Sequence, residues 1–74
     1  MRSEIDAVLP LVRTVLAVAE TEHVTDAAHL LGVPQPTVSR HLARASAALG
    51  VDLVERRGRG IALTPAGRVL VPYL

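Results

Sequence analysis

Apolar residues recur at helical spacing in the first twenty residues of the chain. A stripe with a period of 3.6 residues predicts an amphipathic first helix, and its members are Ile5, Val8, Leu9, Val12, Val15, Leu16 and Ala19. Because proline is tolerated best in a first helical turn, Pro10 predicts that the regular helix begins near Leu9, after a turn at Ser3–Asp6. Leu11 and Val18 point away from the stripe, either as ordinary exposed apolar residues or as a contact with a second subunit.

A second and a third helix are predicted on either side of a tight turn. Thr25 is a suitable N-cap for a short helix that Gly32 ends. Pro34 blocks continuation of that helix, and Pro36 fits the first turn of the next one. The third helix ends at Gly50 and has one narrow apolar face, formed by Val38, Leu42, Ala45 and Leu49. Two helices joined by a tight turn after a glycine form a helix-turn-helix.

The pattern changes after the third helix. Short apolar segments at Leu53–Val54 and Ile61–Leu63 flank the sequence ERRGRG, which predicts a β-hairpin with a tip rich in glycine and arginine. Thr64 followed by Pro65 is a start signal for a last helix through Leu70. The order of helix, helix, helix, hairpin and helix predicts a mainly α, winged helix-turn-helix fold.

These elements predict one domain over residues 1–74. Within it, the helix-turn-helix covers 25–49, the wing covers 53–63, and residues 65–74 begin a linker helix. A chain of 74 residues is one small domain at most, and its core must be aliphatic because Tyr73 is its only aromatic residue.

Composition excludes several classes of protein. The chain has no cysteine, so it has neither a disulfide nor a thiolate metal site. No apolar run approaches the roughly 20 residues that a membrane span needs, and Glu4 and Asp6 lie where a signal peptide would be cationic. We therefore expect a cytoplasmic protein with no membrane partner.

Charge is distributed unevenly along the chain. All eight basic residues are arginine, and six of them lie in residues 35–74 with only two of the seven acidic residues. Such asymmetry favours an anionic partner. The forked guanidinium of arginine suits both phosphate and guanine.

The polar face of the third helix carries the candidate chemistry. A helix laid in a major groove brings its leading side chains to base edges, and its unpaired N-terminal N–H groups suit phosphate. The amide of Gln35 can pair with adenine N6 and N7. Arg57 and Arg59 at the predicted tip can reach a minor groove or its phosphates, whereas Arg56 can equally pair with Glu55.

Catalysis and metal binding are not expected. His23, His29 and His41 fall on different elements, and zinc needs three or four converging ligands. No nucleophile, base and orienting group can be assembled around a cleft in so small a domain. We therefore expect no enzyme activity, no metal and no cofactor.

Residues 15–73 resemble the N-terminal DNA-binding domain of LysR-type transcriptional regulators. The matching segments are LAVAE (16–20), TDAAHLLGVPQPTVSRHL (25–42), ALGVDLVERRGRGIALTPAG (48–67) and VPYL (71–74). The chain departs from the family where Glu22-His23 replaces a frequent Gly-Ser pair. The resemblance implies a homodimer formed through the last helix, weakened here because that helix is truncated. It also implies an effector-binding domain that is absent from these residues, so the chain is either an excised domain or a natural stand-alone one.

The predicted function is sequence-specific binding of double-stranded DNA, at a pseudo-palindromic operator, in transcription regulation. The resemblance places Gln35, Pro36, Ser39 and Arg40 at the DNA, Thr25 on a phosphate and Arg59 in the wing. The full set of predicted contacts is Thr25, Gln35, Pro36, Thr37, Ser39, Arg40, His41, Arg44, Arg57 and Arg59. Two alternatives stay open: a winged-helix module that docks protein through Leu11, Val18 and the last helix, and a MarR-like winged-helix regulator.

Overall fold

A computed structural model describes residues 2–74 of the chain. Three helices come first, then a two-stranded antiparallel hairpin and a short fourth helix, as the sequence predicts. The elements are α1 (Arg2–Thr21), α2 (Val24–Leu31), α3 (Gln35–Leu49), β1 (Val54–Arg57), β2 (Gly60–Leu63) and α4 (Pro65–Leu70), followed by a 3-10 turn at Val71–Tyr73.

The core lies where α1, α2 and α3 meet over the base of the hairpin. It is aliphatic, as expected, and Leu53 fills its centre with no exposed surface. Small side chains bring the helices close together, because Ala27 and Ala28 of α2 are both buried against their neighbours. The remaining buried members are Val15, Ala17, Val18, Val38, Leu42 and Ala45.

The predicted start of the first helix is wrong. α1 runs through Pro10 without a break and begins at Arg2, not near Leu9. A proline inside a helix lacks one N–H and crowds the carbonyl four residues earlier. The turn on either side of Pro10 holds its helical form despite that loss.

The predicted apolar stripe of α1 is buried only in part, at Val15. Val18 is fully buried, so it is neither an exposed residue nor a contact with a second subunit, and Leu11 is partly buried against the core. The predicted stripe lies largely in solvent instead, with Ile5 53% and Val8 52% exposed. α1 has apolar residues around most of its circumference, and packing against α2 and α3 selects the face that carries Val15 and Val18.

Two details of α2 and α3 differ from the prediction: where α2 begins, and how far the apolar face of α3 is buried. α2 begins two residues earlier than expected, so His23 is its N-cap and Thr25 is not a cap. The His23 side chain makes no capping hydrogen bond. In α3, Val38, Leu42 and Ala45 are buried as predicted, but Leu49 at the end of the helix is 47% exposed.

The base of the hairpin is fastened to the start of α4. Thr64 caps α4 as predicted, since its Oγ1 accepts a hydrogen bond of 3.0 Å from the Gly67 amide. The Thr64 hydroxyl also donates to the Asp52 carbonyl at 2.6 Å, and the Thr64 amide donates to the Leu53 carbonyl at 3.0 Å. These bonds fix the direction in which the hairpin leaves the core.

Candidate nucleic-acid interface

The turn between α2 and α3 sets the direction of α3. Gly32 ends α2 with φ +69°, in the left-handed region that glycine adopts without strain. The Val33 amide then donates to the Ala28 carbonyl at 3.0 Å, which closes the end of α2. Pro36 lies in the first turn of α3, as predicted, and Pro34 is the N-cap of that helix.

The start of α3 offers fewer free backbone donors than expected. Pro36 has no N–H, and the Thr37 amide donates to the Pro34 carbonyl at 3.0 Å. An anion near this end would therefore be held mainly by side chains. This differs from the general expectation for a helix N-terminus, because proline removes one of its donors.

The outer face of α3 presents its polar residues to solvent. Gln35, Pro36, Ser39, Arg40 and Arg44 are all exposed, opposite the buried face of the helix, and Thr37 is half-buried beside them. These side chains are therefore accessible to a macromolecule along the length of the helix.

Two side-chain hydrogen bonds order this face. Gln35 Nε2 donates to Thr25 Oγ1 at 3.0 Å, which ties the first turn of α3 to the first turn of α2. Arg40 Nη2 donates to Thr37 Oγ1 at 3.2 Å. In this arrangement the Gln35 carbonyl oxygen and the remaining N–H groups of Arg40 can still pair with another molecule.

The hairpin forms a wing beside α3. Its strands pair Arg56 with Ile61 and Arg57 with Gly60, so the loop consists of Gly58 and Arg59 alone. Gly58 has φ +59°, which a two-residue loop of this kind requires at its first position. Arg59 is exposed at the tip between two glycines, as predicted.

An open cleft of about 700 Å³ separates α3 from the wing. Four predicted contacts line it, namely Thr25, Gln35, Ser39 and Arg59, and so does Arg56, which was not among them. Side chains alternate along a strand, so Arg56 shares the cleft side of β1 with Val54 and Arg57 points to the other side. This alternation could have identified Arg56 from the sequence. Val54 packs against the core, and Arg56, two residues later, lies on the same side of the strand.

His41 is the predicted contact that the structure places elsewhere. Its ring is half-buried against α1, where Nδ1 lies 2.9 Å from Thr14 Oγ1. Arg57 is likewise outside the cleft, on the outer side of the wing. The structure thus brings four of the predicted contacts together around the cleft. Arg40 and Arg44 lie along the exposed face of α3, and His41 points towards α1.

Within residues 2–74 no group of three or more His, Asp or Glu side chains is arranged to hold a metal ion. Over the same residues, no helix has the length and apolar character needed to cross a membrane.

The helix-turn-helix formed by α2 and α3 is followed directly by a β-hairpin, and this order defines the winged helix-turn-helix class. The family model described as "Bacterial regulatory helix-turn-helix protein, lysR family" matches residues 9–68. The chain belongs to the lysR family of bacterial regulatory helix-turn-helix proteins, which confirms the resemblance seen in the sequence. A MarR-like regulator and a protein-docking module are not favoured, and the second relied on Val18, which is buried.

Similar proteins include longer regulators and DNA-binding domains in complex with DNA. A probable hydrogen peroxide-inducible genes activator of Mycobacterium xenopi is 49% identical over 61 residues, which are 82% of this chain and 32% of the relative. The crystal structure of the CbnR DNA-binding domain with DNA has a TM-score of 0.81 at 40% identity, covering 85% of this chain and 72% of that one. The BenM DNA-binding domain on its benA site 1 DNA has a TM-score of 0.79 at 35% identity, covering 85% and 71%. The chain spans a third or less of the first curated relatives that it matches.

Proposed function

We propose that this chain binds double-stranded DNA in a sequence-specific manner and acts in transcription regulation. One observation carries the proposal: Gln35 and Ser39 on the exposed face of α3 line the same open cleft as Arg56 and Arg59 of the wing. A duplex laid against that side would meet α3 in its major groove and the wing at the flank. The likeness to two DNA-binding domains in complex with DNA supports binding to a duplex.

Base readout is assigned to the outer face of α3. Arg40 can present a forked pair of donors to guanine O6 and N7, and Gln35 can pair with adenine. Pro36 and Thr37 offer apolar and hydroxyl contacts at the leading end of the helix. Arg44, one turn after Arg40, lies where it can reach a base or the adjoining phosphate.

Backbone contacts are assigned to the edges of the cleft. Thr25 and Ser39 have hydroxyls that can donate to phosphate oxygens. Arg59 and Arg57 lie at the tip and on the outer side of the wing, where a narrow minor groove or its phosphates attract cations. Arg56 joins this set because it lines the cleft.

Two copies are needed for useful specificity, because one domain of this size contacts only a few base pairs. We propose a homodimer on a pseudo-palindromic operator, acting in the cytoplasm, with the last helix at the subunit contact. The first curated relatives are longer than this chain, and the proposal places no effector site within it. No enzyme activity, metal or cofactor is part of the proposal.

Selection of bound sequences from a random duplex pool at physiological salt tests the function. We expect enrichment of an inverted repeat, and the absence of any enriched sequence would contradict specific binding. On the selected duplex, about eight phosphate contacts in a dimer would make log K fall with log salt at a slope near −7.

Arg40→Ala tests the assignment of α3. Loss of a bidentate guanine contact should weaken binding by about 1–3 kcal/mol and relax the base preference at one position. Arg13→Ala is the matched control, since Arg13 is an exposed arginine in α1 that does not line the cleft. Equal affinities of the two variants would contradict the proposed role of α3.

A further inference from the structure

Thr14 is a polar side chain inside the aliphatic core. It is 1% exposed and lies in the middle of α1, on the side that faces α3. Its Oγ1 is 2.8 Å from the Pro10 carbonyl oxygen and 2.9 Å from His41 Nδ1. Buried hydroxyls are retained where they are hydrogen-bonded, and this one joins two helices that are 27 residues apart in sequence.

The chemistry of the three groups fixes the position of each proton. A carbonyl oxygen can only accept, so the single hydroxyl proton of Thr14 is donated to Pro10. Thr14 Oγ1 can then only accept from His41, which requires that Nδ1 carries a proton. On this ground we assign the proton of the neutral ring to Nδ1, which leaves a lone pair on Nε2.

The other contacts between α1 and α3 are aliphatic. Val15 and Val18 of α1 pack with Leu42 and Ala45 of α3 in the same core. Apolar contact is not directional, so it permits α3 to roll about its axis at little cost. A hydrogen bond weakens steeply when its angle departs from linearity, so the bond to His41 resists such a roll.

His41 follows Arg40 directly in α3 and precedes Arg44 by less than one turn. We propose that the Pro10–Thr14–His41 relay positions α3 so that Arg40 and Arg44 are aimed at the duplex, and that His41 acts as a positioning residue, not as a DNA contact. This inference rests on the DNA-binding function proposed above.

Two substitutions of Thr14 separate the relay from simple packing. Thr14→Val keeps the volume and removes the hydroxyl, whereas Thr14→Ser keeps the hydroxyl and removes a methyl group. At a temperature where circular dichroism shows every variant folded, we expect Thr14→Val to weaken binding to the selected duplex about threefold to tenfold. Thr14→Ser should bind as the parent does. A larger loss in Thr14→Ser would show that packing alone matters and overturn the proposal.

Substitutions of His41 separate positioning from contact. In His41→Asn the amide N–H can replace Nδ1–H against Thr14, so we expect affinity close to that of the parent. His41→Ala should match Thr14→Val. If the ring itself touched DNA, His41→Asn would lose as much affinity as His41→Ala while Thr14→Val lost none, and that result would overturn the proposal.

Nitrogen-15 NMR of the histidine rings tests the relay without DNA. For the neutral ring, we expect the proton of His41 on Nδ1 in the parent and in Thr14→Ser, and a mixture of tautomers in Thr14→Val. A parent ring protonated on Nε2 would overturn the relay.

Arg40→Ala on the same duplex distinguishes failure of this inference from failure of the proposed function. If Arg40→Ala loses affinity and Thr14→Val does not, only the relay is overturned. A parent chain that retains no duplex overturns both.

Discussion

The α1–α2 turn and the α2–α3 turn each contain one residue in the left-handed backbone conformation, but the residue types differ. Between α2 and α3, Gly32 has φ +69°, and a Cβ added there would meet nothing within 4 Å. Between α1 and α2, Glu22 has φ +59°, in the same left-handed region. A residue with a Cβ is disfavoured there by roughly 1–2 kcal/mol. The α2–α3 turn is therefore relaxed, and the α1–α2 turn is strained.

The strained turn has a second task. The Glu22 carbonyl accepts a hydrogen bond of 2.9 Å from the Ile61 amide of the wing. A Cβ added to Gly60 would lie 2.7 Å from the same carbonyl oxygen. The turn after α2 therefore aims the helix proposed to read DNA, whereas the turn after α1 holds the wing beside it, and the left-handed residue in each sets where the next element goes.

The largest effect is expected from Gly60→Ala, which breaks the contact between the wing and the strained turn. The new methyl cannot coexist with the Glu22 carbonyl, so the Ile61–Glu22 hydrogen bond is lost or the wing shifts. We expect the free energy of unfolding to fall by about 2 kcal/mol or more. Chemical denaturation measures this change, and hydrogen exchange of the Ile61 amide reports the bond itself.

Gly58→Ala is the control within the same hairpin. An added Cβ meets nothing within 4 Å at Gly58, whose φ is +59°, so only local strain of about 1 kcal/mol is expected. Protection of the Ile61 amide should persist in this variant. Equal loss of that protection in both variants would show that the wing is not held by the α1–α2 turn.

A smaller effect is expected from Gly32→Ala, which places strain in the relaxed turn. There is space for the methyl group, so we expect a loss of about 1–2 kcal/mol in the free energy of unfolding without a change in the direction of α3. Gly50→Ala is a matched control at the other end of α3, with φ +73° and equally open surroundings. The two variants should lose similar stability and bind DNA alike. A selective loss of DNA affinity in Gly32→Ala would mean that the turn yields and α3 is redirected.

Local signals account for the parts of the fold that the sequence predicts well. The turn after α2 is specified by Gly32 and the prolines that follow it, and the cap of α4 by Thr64 and Pro65. Each of these depends on residues a few positions apart, whose conformational preferences are strong. The hairpin is predicted for the same reason, since its loop needs glycine.

Packing decides the parts that the sequence does not predict. Helical spacing in α1 is satisfied by two overlapping apolar faces, and only the approach of α2 and α3 shows that Val18 is inside and Val8 outside. The site shows the same limit, because a polar residue at the edge of the α3 face can turn either way. His41 turns towards Thr14, a partner that no local pattern indicates.

The smallest effect is expected from Glu22→Gly, which would make the α1–α2 turn resemble the α2–α3 turn. Glycine removes the strain at φ +59°, but it also increases the entropy of the unfolded chain. We expect a net gain of about 0.5–1 kcal/mol in the free energy of unfolding. Glu22→Gln is the control, because it removes the charge and keeps the side-chain bulk, and its stability should match that of the parent. The backbone carbonyl of residue 22, which accepts from the Ile61 amide, is present in the parent and in both variants, so the wing should keep its place. Both variants lose the same charge, and their DNA affinities should therefore differ from that of the parent by the same amount. A gain in Glu22→Gln equal to that in Glu22→Gly would assign the effect to charge and remove the contrast between the turns.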